Sequence, residues 1–124
     1  MILEVDPADP TPVYEQIRAQ IVDMVAAGTL SAGARLPTIR QLAADLGLAK
    51  GTVARAYETL LRDGIVSSAG RNGTAIAADR APDLAHRDTQ LHRAAHLYAV
   101  RVKQLGIDTE TAAEALEHAL DQLT

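Results

Sequence analysis

Arg40, then Lys50, Thr52 and Arg55 within six residues, then Arg71 beside Gly70 and ahead of Asn72-Gly73, are the residues of this chain whose chemistry is concentrated. The Arg55 fork can make the bidentate contact to guanine O6 and N7 that discriminates bases, while Lys50 and Thr52 suit phosphate oxygens, so the chemistry is that of nucleic-acid contact. Each has a plainer alternative. Arg55 could pair along its own helix with Glu58 or Thr59, Arg71 could cap a solvated turn, and an exposed Arg40 could serve solubility alone. His92 and His96 lie four residues apart, with Asp88 one turn earlier, and on a helix both imidazoles would point the same way. With no cysteine and no placed third ligand, solvated histidines are the simpler reading, and no metal or cofactor is expected. No Ser-His-Asp order, phosphate-binding glycine loop or catalytic carboxylate pair occurs, so the chain is not expected to be an enzyme.

The elements that must position these residues centre on Leu36 to Leu61. Thr38 followed by Gln41 is a capping-box pair, and Ile39, Leu42, Ala43 and Leu46 recur on one helical face until Gly47 stops it. A second helix starts near Lys50, with Val53, Ala56, Tyr57, Leu60 and Leu61 as its apolar positions and Gly64 as its stop. Lys50, Thr52 and Arg55 lie on its first turns, away from Val53 and Tyr57. Helices joined by so short a turn cross steeply, as in a helix-turn-helix.

Upstream, an extended lead (Ile2, Leu3, Val5) precedes a proline-rich entry. A helix is then expected from a Thr11 N-cap and Pro12 at N1, with Tyr14, Ile17, Ile21, Met24 and Val25 buried, Glu15, Arg18 and Asp23 solvated, and Gly28 at its end. Arg35-Leu36 could form a short strand. Beyond Gly64, Ile65 to Ser68 and Thr74 to Ala77 read as a hairpin around an Asn72-Gly73 turn within Ala69–Gly73. At its tip Arg71 could enter a minor groove, and Gly73 would let the backbone approach closely. Three helices and a hairpin make a winged helix-turn-helix over residues 1–78.

Residues 79–124 read as a linker and a two-helix tail. Leu91, Ala95, Tyr98, Val102 and Leu105 form a heptad-like seam, Asp108 caps the last helix, and Ala113, Leu116, Leu120 and Leu123 form its stripe. Helices this short cannot bury both stripes alone, which predicts a second copy of the chain as partner. The fold class expected is mainly α with a small β-hairpin (α+β).

The net charge of −4 looks wrong for a nucleic-acid ligand until it is divided along the chain. Residues 1–34 carry one basic and five acidic groups, 35–80 seven and four, and 81–124 four and seven, so positive charge gathers where the helix pair lies. Tyr14, Tyr57 and Tyr98 are the only aromatics, too few for a base-stacking platform. The absence of cysteine, signal-like leader and membrane-length apolar run points to the cytoplasm.

From Pro12 to about Ala78 the sequence resembles the GntR family of bacterial transcriptional regulators. The matching pieces are PVYEQI at 12–17, Gly-x-Leu-x-x-Gly-x-x-Leu-Pro at 28–37, IRQLAADLGL at 39–48, TVARAYETL at 52–60, DGIV at 63–66 and NGT at 72–74. The short two-helix tail resembles the YtrA-like branch. The resemblance implies a homodimeric repressor binding a pseudo-palindromic double-stranded operator, with the third helix in the major groove and the wing near the minor groove. It marks Arg40 as a phosphate or base contact and places Gly51 near the helix tip. Two features depart from the pattern: Ala49 stands where a capping Ser, Thr or Asn is usual, and Gly51 replaces a side chain. Two other readings remain open, a winged-helix protein-interaction module without DNA affinity, and a regulator that senses a small-molecule effector at its tail.

Overall fold

The computed structural model describes residues 1–68 and 70–123, with Asn72 described through its backbone. Helix α1 spans Val13–Ala27, α2 Ile39–Leu46 and α3 Lys50–Arg62. Strands β1 (Val66–Ser68) and β2 (Thr74–Ile76) follow, then α4 (Leu84–Gln104) and α5 (Thr109–Gln122). The chain divides into two compact units, Met1–Arg87 and Asp88–Thr124. Residues 79–87, read from sequence as the start of a linker, thus belong to the first.

In the first unit the apolar stripe of α1 packs on α3, and α2 crosses beside it. Ile17, Ile21, Val53, Leu60 and Ile76 are fully buried at the centre, so the core is aliphatic, with Tyr57 as the one buried ring among the described residues and Tyr14 packed at its margin. Leu61, counted among the apolar positions of α3, is instead 48% exposed because it lies off the Val53–Leu60 face.

Helix α2 begins as the capping box requires. The Gln41 amide N–H donates to Thr38 Oγ1 at 3.1 Å, and the Thr38 N–H donates to Gln41 Oε1 at 3.1 Å. Its end is equally local: Gly47 takes φ 67°, and the Leu48 N–H reaches back to the Ala43 carbonyl at 2.9 Å.

The start of α1 differs from expectation. The helix begins at Val13, Pro12 is the flanking residue with φ −53° and ψ 142°, and no side chain caps it. Thr11 instead accepts, through its carbonyl, a bond from Gln16 Nε2, which also donates to the Asp6 carbonyl. Gln16 Oε1 takes the Asp6 N–H, and Gln20 treats Glu4 in the same way. Two glutamine amides thus serve as the ladder for the extended lead, which no capping rule anticipates.

The supposedly solvated face of α1 is also engaged. Arg18 Nε donates to Glu15 Oε2 at 2.6 Å, which holds the Glu15 carboxyl below its ordinary pKa. Asp23 Oδ1 lies 2.8 Å from His86 Nε2, a residue 63 positions away in sequence.

The hairpin pairs Val66 with Ile76, Ser67 with Ala75 and Ser68 with Thr74. Arg35 bridges Ala75, and the Leu36 N–H donates to the Thr74 carbonyl at 2.9 Å, so the short strand read at 35–36 lies along β2. The connection is not a two-residue Asn-Gly turn. Gly70–Asn72 form a 3-10 turn closed by the Gly73 N–H to the Gly70 carbonyl, and Ala69 of the expected turn lies outside the described residues.

In the second unit, Asp108 Oδ1 accepts the Thr111 N–H at 2.7 Å, the expected cap of α5, and its carboxyl is held below the ordinary range by that bond. Tyr98 Oη donates to the Ala112 carbonyl at 2.7 Å and ties α4 to α5. Ala112 is the buried alanine of α5 while Ala113 is exposed, one position from the expected stripe, because α5 turns the side carrying Ala112 toward α4. Among the described residues, no helix is long and apolar enough to cross a membrane.

Candidate nucleic-acid interface

Five exposed cations of the first unit, Arg40, Lys50, Arg55, Arg62 and Arg71, are carried by α2, α3 and the wing, while Arg35 and Arg87 are exposed on other segments. Arg40 stands exposed in the first turn of α2, between the two capping-box residues Thr38 and Gln41 that fix where that turn begins. Helix α3 opens on Ala49, whose φ of −67° and ψ of 143° are those of an N-cap but whose side chain accepts nothing. No side chain caps the first turn of α3: the Thr52 N–H donates to the Ala49 carbonyl at 3.1 Å, and Lys50 and Gly51 are exposed with Thr52 half-buried beside them. No carboxylate stands in this first turn.

The angle at which α3 leaves α2 is held by Tyr57. Its ring is buried, and its hydroxyl donates to the Pro37 carbonyl at 2.7 Å, tying the middle of α3 to the residue just ahead of the α2 cap. Burial pushes the phenol pKa up to about 12, so the donor keeps its proton throughout the ordinary pH range. At the other end, the Ile65 N–H donates to the Leu60 carbonyl and Gly64 takes φ 73°, which turns the chain directly into β1 and the wing.

Arg71 is exposed in the 3-10 turn of the wing tip, followed by Gly73 with φ 79°, a left-handed conformation that favours glycine. Arg55 has a partner that sequence reading did not weigh. Its guanidinium carbon lies 3.9 Å from the centroid of the Tyr14 ring, on α1. Among the described residues Arg55 forms no ion pair with Glu58, and Thr59 Oγ1 bonds the Arg55 backbone carbonyl at 3.0 Å rather than its side chain. Tyr14, read as a core residue, is half-buried and supplies a ring face. Nothing local in the sequence signals this, because the two residues are brought together only by the packing of α1 on α3.

In the second unit Leu91, Ala95, Leu105, Leu116 and Leu120 are exposed, Tyr98 is at the margin of exposure, and Val102 is half-buried. Leu91 is 62% and Leu120 56% exposed in the single chain. His92 and His96 are exposed on α4, and no three His, Asp or Glu side chains among the described residues converge to hold a metal ion.

Comparison with known proteins agrees with this geometry. Residues 13–76 match the model of the bacterial regulatory proteins of the gntR family. The chain is 40% identical to the HTH-type transcriptional regulator Rv1152 of Mycobacterium tuberculosis over 96% of this chain and 94% of that protein. It is 31% identical to the HTH-type transcriptional repressor YtrA of Bacillus subtilis over 94% of this chain and 85% of that protein. The DNA-binding domain of AraR, solved in complex with the operator ORX1, superposes with a TM-score of 0.55 at 26% identity, covering 62% of this chain and 99% of that one. With a winged helix-turn-helix, a family model that matches residues 13–76 and relatives that are transcriptional regulators, the chain belongs to the gntR family of DNA-binding bacterial regulators, in its YtrA-like branch.

Proposed function

We infer that this regulator is a homodimeric repressor that binds a pseudo-palindromic operator. The first turn of α3 enters the major groove of each half-site, and the wing lies along the neighbouring minor groove. Arg40, Lys50, Thr52, Arg55 and Arg71 supply the contacts, and Gly51 and Gly73 let the backbone come close. The observation that carries this reading is that Arg40, Lys50, Arg55 and Arg71 are all exposed on the elements that a winged helix presents to DNA, while α3 begins without an acidic group or a side-chain cap. The repressor role is supported by the name of the Bacillus subtilis relative, and operator binding by the AraR complex. Dimerisation is supported by the exposed Leu91, Leu105, Leu116 and Leu120, with Ala95, Tyr98 and Val102 on the same seam.

The test is binding to a duplex recovered by selection from a randomised library, compared with a scrambled duplex, across a salt series. Four cations per protomer and two protomers would neutralise about eight phosphates, for a slope of log affinity against log salt of about −7. Lys50→Ala should weaken both duplexes alike and make the slope shallower by about two, one contact per protomer. A flat slope in the wild type, or equal affinity for the two duplexes, overturns the reading.

A further inference from the structure

We propose that Arg55 contacts the DNA backbone rather than a base edge, and that Tyr14 of α1 is the positioning residue that holds it there. The inference rests on the operator-binding reading above. It begins from the stack: the Arg55 guanidinium lies 3.9 Å from the Tyr14 ring centroid. Such a stack covers one face of the planar cation and leaves its N–H edge available for a phosphate oxygen.

The position along α3 argues for the backbone. Arg55 is five residues after Lys50, so its Cα lies about 7.5 Å further along the axis and about 140° around it from the helix tip. A helix about 10 Å across nearly fills a major groove about 12 Å wide, and a side chain on its flank this far from the tip meets the sugar-phosphate wall. Reaching inward to a base edge would require the guanidinium to leave Tyr14. Arg62, seven residues on and exposed, continues the same stripe, and the two arginines share a groove of about 350 Å³ with Tyr14, Glu15, Glu58 and Thr59. Glu15 is committed to Arg18, and Arg55 has no carboxylate within ion-pair distance among the described residues, so its charge is not already neutralised. Without the ring, Arg55 would still carry its charge but would have to be ordered on binding, and an unordered long side chain gives a weaker contact.

The experiment uses the full chain, the selected duplex and its scrambled counterpart, with circular dichroism confirming that each variant is folded. Arg55→Met, which retains the aliphatic packing over the ring, should weaken both duplexes by the same factor and make the salt slope shallower by about one per protomer. Tyr14→Leu should reproduce most of that affinity loss, Tyr14→Phe should restore wild-type binding, and Tyr14→Leu combined with Arg55→Met should be no weaker than Arg55→Met alone. Tyr14→Met takes the place of Tyr14→Leu if the latter does not fold. Loss confined to the selected duplex in Arg55→Met would make Arg55 a base reader and overturn the proposal. So would wild-type binding by folded Tyr14→Leu, or additive losses in the double variant. A wild-type chain that binds neither duplex would overturn the operator-binding reading itself, whereas specific wild-type binding that Tyr14 does not influence would remove only this inference.

Discussion

Removing one oxygen atom, by Tyr57→Phe, tests how the reading helix is held. The ring stays in the core, but the Pro37 carbonyl loses the hydroxyl that donates to it at 2.7 Å. A neutral hydrogen bond contributes about 1 kcal/mol net, and leaving a carbonyl without its donor in a largely dry site raises the cost, for a total of about 1 to 2 kcal/mol. In a unit of this size that corresponds to a drop in Tm of roughly 4 to 16 °C. The pH dependence gives a second check. Burial raises the Tyr57 phenol from its ordinary 10.0 to about 12. A group whose pKa is raised on folding contributes its stability fully below the unfolded value and loses it as pH rises through the folded one. The advantage of wild type over Tyr57→Phe should therefore be complete at pH 7 and shrink between about pH 10 and 12. Urea unfolding at pH 7 and at several values above pH 9 measures it. Equal stability of the two proteins at pH 7, or a difference that stays constant through pH 12, would refute the assignment of this hydroxyl as the tie between α2 and α3.

Two further variants test the ends of the same design. Ala49→Ser places a hydroxyl where the backbone already has N-cap angles and should stabilise α3 by about 1 kcal/mol, read as a higher urea midpoint with unchanged slope. No gain in midpoint would mean that the first turn of α3 is satisfied in another way. Leu116→Glu with Leu120→Glu puts charges on the exposed stripe of α5 and should convert a dimer into a folded monomer in sedimentation, with loss of preference for the selected duplex. A variant pair that remains dimeric would move the interface off this stripe.

Much of the first unit is legible in sequence because its signals are local. Thr38 and Gln41 sit three apart, and the capping box forms between them. Gly47 and Gly64 follow apolar runs, and both take the left-handed conformation that ends a helix. Where local signals compete, the reading slips. Thr11 and Pro12 resemble a cap and a first helical residue, but α1 starts one residue later because Gln16 and Gln20 reach out to the lead instead. Asn72-Gly73 resembles a two-residue hairpin turn, yet the longer connection closes through Gly70.

The sequence by itself determined the helix boundaries at α2 and α3, the hairpin, the apolar seam of the tail and the identity of the exposed cations. Each depends on residues within a turn or two of one another, where spacing and side-chain chemistry suffice. Only tertiary structure decided which groups those cations meet and how α3 is braced. Tyr14 and Arg55 are 41 positions apart, and Tyr57 and Pro37 are 20. Neither pair can form until α1 and α2 have packed on α3, so no local pattern encodes them. The stack over Tyr14 is what turns Arg55 from a cation on a helix into one with a direction.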